Sequence, residues 1–193
     1  MKKAVEKERI ILGIDPGTTV MGYGVLRVVD NRANYVTLGV IKLKSIKNHY
    51  LTLKKVFEEV TSLIKKYLPD ELAIEAPFFA KNVQSMLKLG RAQGVAITAA
   101  IMHDIPIAEY APLKIKMALT GQGRASKEQV ADMLCKILKI PASDLPKELD
   151  ATDGLAAAYC HYLQTGSAIN SEKKYKSWKD FANKNTDRVS NSS

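Results

Sequence analysis

The run Ile10-Ile11-Leu12-Gly13-Ile14 ends in Asp15-Pro16-Gly17, and this segment constrains the fold more than any other. An unbroken apolar run with a turn at its exit describes a strand buried on both faces, which belongs at the centre of a covered sheet. Residues 22–29 and 35–43 follow as apolar, β-branched segments joined through Asp30-Asn31-Arg32, and they predict an antiparallel meander of three strands. Leu53, Val56, Phe57, Val60 and Ile64 then recur at helical spacing among charged residues, giving an amphipathic helix stopped at Pro69. A short buried strand over 72–76, a long helical segment from about 81 to 103 and a last strand over 106–110 come next. Gly90 and Gly94 in the long segment permit close approach, either to the sheet or to a partner's helix. Ser126 with Gln129 reads as a capping box that starts a further helix, and an alanine-rich helix runs from about 149 to 163. The expected architecture is α/β: a mixed five-stranded sheet, three antiparallel strands plus two parallel ones, flanked by helices.

Four carboxylates sit where this pattern is otherwise apolar. Asp15 closes the first strand, Glu75 closes Leu72-Ala73-Ile74, and Asp150 and Asp153 open the last helix. A carboxylate held against a core loses hydration worth several kcal/mol, so it stays ionised only beside a cation or a dense set of donors. Hard oxygen donors without supporting His or Cys spacing favour magnesium or manganese over zinc. Asp15 and Glu75 fall at the carboxyl ends of adjacent strands, where α/β sheets present ligand sites. Asp150 and Asp153 share one helix face, and Gly154, Ala156, Ala157 and Ala158 let that helix lie close to the sheet. Two magnesium ions about 4 Å apart in such a pocket activate water and stabilise the leaving oxygen of an in-line phosphoryl displacement. Taken singly, each acid also fits a turn, a strand end or a helix cap; together those readings require four coincidences.

The chain of 193 residues has a net charge of +9, from 29 Lys and Arg against 20 Asp and Glu, which favours a polyanionic partner such as nucleic acid. Basic groups fill the span from Lys114 to Lys127. Lys114 and Lys116 alternate with Ile115 and Met117, Gly121-Gln122-Gly123-Arg124 form a flexible loop, and Lys127 lies in the first turn of the next helix. A cation there opposes the helix dipole, which hints at an anion to bind. Phe78 follows Pro77 just after the Glu75 strand, in a loop where an aromatic ring can stack on an exposed base; Phe79 is at least as well suited to the core. His49, His103 and His161 have no metal spacing, and a structural role suits His161 best, although it shares the Asp153 face.

Cys135 and Cys160 lie in apolar helical patterns and read as buried thiols of a reducing cytosol. No apolar stretch approaches the ~20 residues of a membrane span, and residues 1–9 are too charged for a secretory signal. A cytoplasmic protein with no membrane partner is expected. Beyond Thr165 the chain turns to Ser, Asn and Lys; five lysines and Arg188 against Glu172, Asp180 and Asp187 leave +3 there and +6 on the rest. The expected organisation is a flexible extension over 1–8, one domain over 9–164 and a basic, disordered tail over 165–193 that carries Trp178 and Phe181.

Several segments resemble one family in order along the chain: Ile11-Leu12-Gly13-Ile14-Asp15-Pro16-Gly17 with Gly22-Tyr23-Gly24, Ala73-Ile74-Glu75 with Phe78, Ala80-Lys81-Asn82, Leu87-Lys88-Leu89-Gly90, Gly94-Val95-Ala96-Ile97, and Asp150-Ala151-Thr152-Asp153-Gly154-Leu155-Ala156. This is similar to the RuvC family of bacterial Holliday junction resolvases. The resemblance implies an RNase H-like fold, a homodimer, and magnesium-dependent cutting of two like-polarity strands of a four-way DNA junction to leave 5′ phosphates. It also implies work alongside the branch-migration proteins RuvA and RuvB. By the same resemblance, Asp15, Glu75, Asp150 and Asp153 hold two Mg2+ per subunit, with Mn2+ able to substitute. Phe78 stacks on a base, and Lys116 and Lys127 sit near the scissile phosphate, with Lys116 counted among the catalytic groups. Lys81, Lys114 and Arg124 are further expected DNA contacts. Two other readings compete. One is a non-catalytic junction-binding module. The other is an ATP-binding protein of the actin and sugar-kinase (ASKHA) group, whose first phosphate loop resembles Gly13-Ile14-Asp15-Pro16-Gly17-Thr18-Thr19; that group also needs a second phosphate loop and an adenosine motif in a longer chain.

Overall fold

Strand β1 (Glu8–Asp15) runs through the middle of a five-stranded sheet in the computed structural model, which describes residues 8–77, 82–145 and 148–169. The other strands are β2 (Val20–Val29), β3 (Arg32–Lys42), β4 (Glu71–Glu75) and β5 (Ile107–Tyr110), in the order β3-β2-β1-β4-β5. The first three strands form the antiparallel meander, and β4 and β5 add to it in parallel. The meander turn is tighter than the sequence suggested: Asp30 and Asn31 both take positive φ (48° and 61°) and Arg32 already pairs with Val29. Asp and Asn tolerate that left-handed backbone, which matches the strand twist.

Side-chain alternation along the central strands sends residues into two separate cores. Ile11 joins Leu26, Val28, Leu134 and Leu155 on one face, whereas Leu12 and Ile14 join Val25, Val56, Val60, Leu72 and Ala96 on the other. Each of these leucine, isoleucine and valine side chains, fully buried, contributes about 1.5–3 kcal/mol relative to exposure. Helices α1 (His49–Tyr67) and α2 (Val83–Ile101) cover the second face, and α3 (Pro112–Thr120), α4 (Lys127–Leu138) and α5 (Asp150–Ile169) cover the first. The sheet and these helices make up the compact unit that ends at Leu163; of the second unit, Gln164–Ser193, only the last turns of α5 are described.

Helix α3 is an element that the sequence reading left unassigned. Lys114-Ile115-Lys116-Met117 alternates like a strand, but four residues fit either period, and the flanks decide: Pro112 opens the helix and Gly121 closes it at φ 70°. Ile115 and Leu119, one turn apart, supply the buried face. On a helix Lys114 and Lys116 point about 200° apart, so the two lysines have different surroundings.

Helix α2 turns Ala92, Gln93, Ala96, Ala99 and Ala100 inward, and a Cβ added at Gly90 or Gly94 would meet open space. Those glycines therefore serve no contact with the sheet. Buried Gln93 donates to the Glu109 carboxylate (2.9 Å) and to the Glu75 carbonyl (3.4 Å), tying α2 to the ends of β4 and β5. His161 is structural, as expected. Its Nδ1 lies 2.7 Å from the Tyr110 hydroxyl and its Nε2 2.8 Å from Glu71, at the opposite end of β4 from Glu75, and Arg9 pairs with the same Glu71 at 3.0 Å. Burial holds the His161 pKa below its ordinary value. Cys160 is buried, Cys135 is half-buried, and both are free thiols. Among the described residues no helix is long and apolar enough to cross a membrane. Phe78, Phe79 and Lys81, residues 1–7 and the chain beyond Ile169 lie outside the described residues.

Candidate metal centre

Parallel pairing of β1 with β4, in register at Ile14 and Ile74, sets Asp15 and Glu75 side by side at the strand exits. What brings α5 to the same place is a seam of glycines. A Cβ on Gly13 would overlap the Gly154 carbonyl, one on Gly22 would overlap the Asp150 carbonyl, and one on Gly154 would run into the Tyr23 backbone. Bare backbone on both sides lets the first turns of α5 lie directly on β1 and β2. Asp150 and Asp153 are carried to Asp15, and one oxygen of each of the three lies within 4.8 Å of the others. Glu75 stands outside that trio but lines, with Asp15 and Asp153, a cavity of about 720 Å³, together with Lys116, Lys127 and an apolar wall that includes Leu89, Pro112 and Leu113.

Burial dominates the electrostatics. It pushes the Asp15 carboxyl up to about 8, reinforced by the nearby charges of Glu75 and Asp153. Glu75 is pushed up to about 7, again by burial first and by Asp153 second. Asp153 is raised too, chiefly by burial, against the pull of Lys127. Burial alone would lower the Lys127 ammonium, but its hydrogen bonds to Asp153 (2.5 Å) and Asp150 (3.1 Å) prevail and raise it. The pocket is short of positive charge, and its converging donors are carboxylate oxygens. That donor set fits a hard divalent cation.

The raised acids make a stability prediction. Both folded-state pKa values lie above those of an unfolded chain, so the native protein binds more protons there, and this contribution is lost as pH rises toward and through about 7 and 8. Without metal, Asp15→Asn is expected to gain on the wild type in thermal unfolding temperature between pH 6 and 9, because the amide never charges. Parallel curves for the two proteins in EDTA across that range would contradict the burial argument.

Lys116 lines the cavity and its charge favours ionised Glu75 and Asp153. Lys114 points elsewhere, its ammonium 5.1 Å from the centre of the Tyr110 ring. Arg124 is exposed in the turn between α3 and α4 and does not line the cavity. Sequence reasoning missed the sheet half of the glycine seam, although glycine inside a strand does signal a close backbone approach. Gln93 and the apolar wall were missed as well, and their places depend on tertiary packing.

The family model described as crossover junction endodeoxyribonuclease RuvC matches residues 11–161. The crossover junction endodeoxyribonuclease RuvC of Bacteroides fragilis is 66% identical over 183 residues, covering 95% of this chain and 97% of the relative. That of Porphyromonas gingivalis is 60% identical over 185 residues, covering 95% and 98%. Among solved structures, T. thermophilus RuvC in complex with Holliday junction substrate superposes with a TM-score of 0.74 at 29% identity, covering 83% of this chain and 96% of that one. The yeast mitochondrial Holliday junction resolvase shares the fold, with a TM-score of 0.63 at 14% identity, covering 86% and 82%. With its mixed sheet, its acids gathered at the strand exits and these matches over nearly its whole length, the chain belongs to the RuvC family of crossover junction endodeoxyribonucleases.

Proposed function

We propose that this protein resolves four-way DNA junctions by magnesium-dependent hydrolysis of two symmetry-related phosphodiesters, leaving 5′ phosphates. The observation that carries the reading is the meeting of Asp15, Asp150 and Asp153, two of which, Asp15 and Asp153, line a cavity with Glu75, Lys116 and Lys127. These four acids would hold the ions, two per subunit, with Mn2+ able to replace Mg2+. When bound, such ions activate the attacking water and stabilise the leaving oxygen. Lys116 offsets phosphate charge inside the cavity, and the Leu89, Pro112 and Leu113 wall limits water there. Lys114 and Arg124 serve as outer phosphate contacts. Phe78 and Lys81 take the base-stacking and DNA-binding roles that the family resemblance implies, and RuvA and RuvB are the partners it implies. The cytoplasm suits the two free thiols and a DNA substrate.

A two-fold junction calls for a two-fold dimer with one site per subunit. Val83 (58% exposed), Leu87 (48%) and Ile101 (59%) align with Gly90 and Gly94 along the outer face of α2, and this stripe is the proposed dimer contact. Gly94→Arg places a guanidinium in its middle. Sedimentation is expected to give a monomer for that variant, and an unchanged dimer would place the contact elsewhere.

Labelled four-way and linear DNA, each with and without Mg2+, test the function. Paired nicks in the junction with Mg2+ are expected, and equal cutting of linear duplex or cutting in EDTA would contradict the reading. In the same assay Lys116→Ala is expected to slow cleavage about a hundredfold or more while weakening binding far less. Equal losses would make Lys116 an anchor for phosphate alone.

A further inference from the structure

Lys127 occupies an unfavourable place for a cation, the first position of α4. Its ammonium nevertheless has a defined partner set: Nζ lies 2.5 Å from Asp153 Oδ2 and 3.1 Å from Asp150 Oδ1. Those carboxylates are two of the three whose oxygens converge with Asp15. The backbone beneath it is anchored, because Ser126 and Gln129 cap α4 reciprocally at 2.8 and 3.3 Å. A lysine side chain on that anchor has four rotatable bonds and three donors, so the ammonium can change partners while the helix stays in place.

Lys127 is set among three close acids, and only Lys116 adds positive charge to a cavity that also holds Glu75, so four carboxylates face two ammonium groups and the pocket is under-neutralised. A divalent ion brings twice the charge but needs the same oxygens at roughly 2.1 Å. An oxygen that accepts a 2.5 Å hydrogen bond from an ammonium offers poor room for that contact, and the two like charges repel. Ammonium and metal therefore compete. The displaced ammonium remains in a cavity that also holds Lys116, where the scissile phosphate is proposed to sit.

We propose that Lys127 is a hand-over residue: it holds Asp150 and Asp153 together as a resident cation until a divalent ion takes their oxygens, and its ammonium is then released to the phosphate of the substrate. This rests on the metal reading under Proposed function. Two consequences distinguish it from a plain phosphate contact. The lysine weakens metal binding in the absence of DNA, and its own help to DNA binding depends on metal, so metal and junction reinforce each other reciprocally.

Mn2+ binding, followed by the electron paramagnetic resonance of the free ion, tests the proposal on wild type, Lys127→Met, Lys127→Arg and Asp15→Asn. Lys127→Met is expected to bind Mn2+ about tenfold more tightly than wild type and to unfold at a lower temperature in EDTA, where its acids lack their partner. Lys127→Arg, which keeps the charge, stays near wild type in both. Junction affinity of Lys127→Met is expected to fall in Ca2+, used as a non-cleaving ion, and to match wild type in EDTA. Unchanged or weaker Mn2+ binding by Lys127→Met would overturn the hand-over, as would an equal loss of junction affinity in Ca2+ and EDTA. If Asp15→Asn loses Mn2+ while Lys127→Met matches wild type, the hand-over alone fails. If Asp15→Asn binds Mn2+ like wild type, the metal reading fails and takes the hand-over with it.

Discussion

Asp15→Asn is expected to keep junction binding within about twofold of wild type while slowing cleavage by about a thousandfold or more. Asparagine preserves the shape of the side chain at the exit of β1 and removes the anionic oxygen that converges with Asp150 and Asp153. Among the described residues no other acid joins the trio, since Glu75 stands outside it. Loss of a negative charge does not weaken the hold of Lys116, Arg124 or the other basic groups on phosphate, so binding and cutting separate. Gel shift in EDTA, where neither protein holds metal, and cleavage in Mg2+ measure the two sides, and normal cutting by the variant would contradict the assignment of Asp15.

Gly154→Val is expected to damage both the fold and the site. Even a single Cβ at this position would meet the Tyr23 backbone and the Gly22 carbonyl carbon, which are parts of β2 and cannot rotate away as a side chain end would. Helix α5 must lift from the sheet, at a cost of about 1–3 kcal/mol or more. Asp150 and Asp153 move with it, so Mn2+ affinity falls together with stability. Gly90→Ala is the contrasting case. A Cβ there meets nothing within 4 Å, and alanine in a helix interior is favoured by about 0.5–1 kcal/mol. Chemical denaturation of both variants provides the comparison, and a Gly154→Val protein as stable as wild type with intact metal binding would remove the glycine seam from the argument.

The features legible in the sequence were those carried by local signals. The apolar run of β1 ends in Asp15 because the chain leaves the core there, the period of α1 and the Ser126–Gln129 capping box are written within a few residues, and all four acids stand out against apolar neighbours. Features that depend on distant contacts were harder to read. Gly13, Gly22 and Gly154 act as one seam only after the chain brings two strands and a helix together. Helix α3 was hidden by a four-residue alternation that suits either period, and it is this helix that sets Lys116 in the cavity and Lys114 over the Tyr110 ring. Lys127 is the most instructive case. Its unfavourable position at a helix start pointed to an anion, and the anions it meets are Asp150 and Asp153 of its own chain.

Anomalous scattering from crystals grown with Mn2+ locates the ion itself. A strong peak is expected among the side-chain oxygens of Asp15, Asp150 and Asp153, with the Lys127 ammonium withdrawn from the two aspartates it otherwise contacts. No peak there, in protein that cuts junctions with Mn2+, would show that these acids are not the metal site.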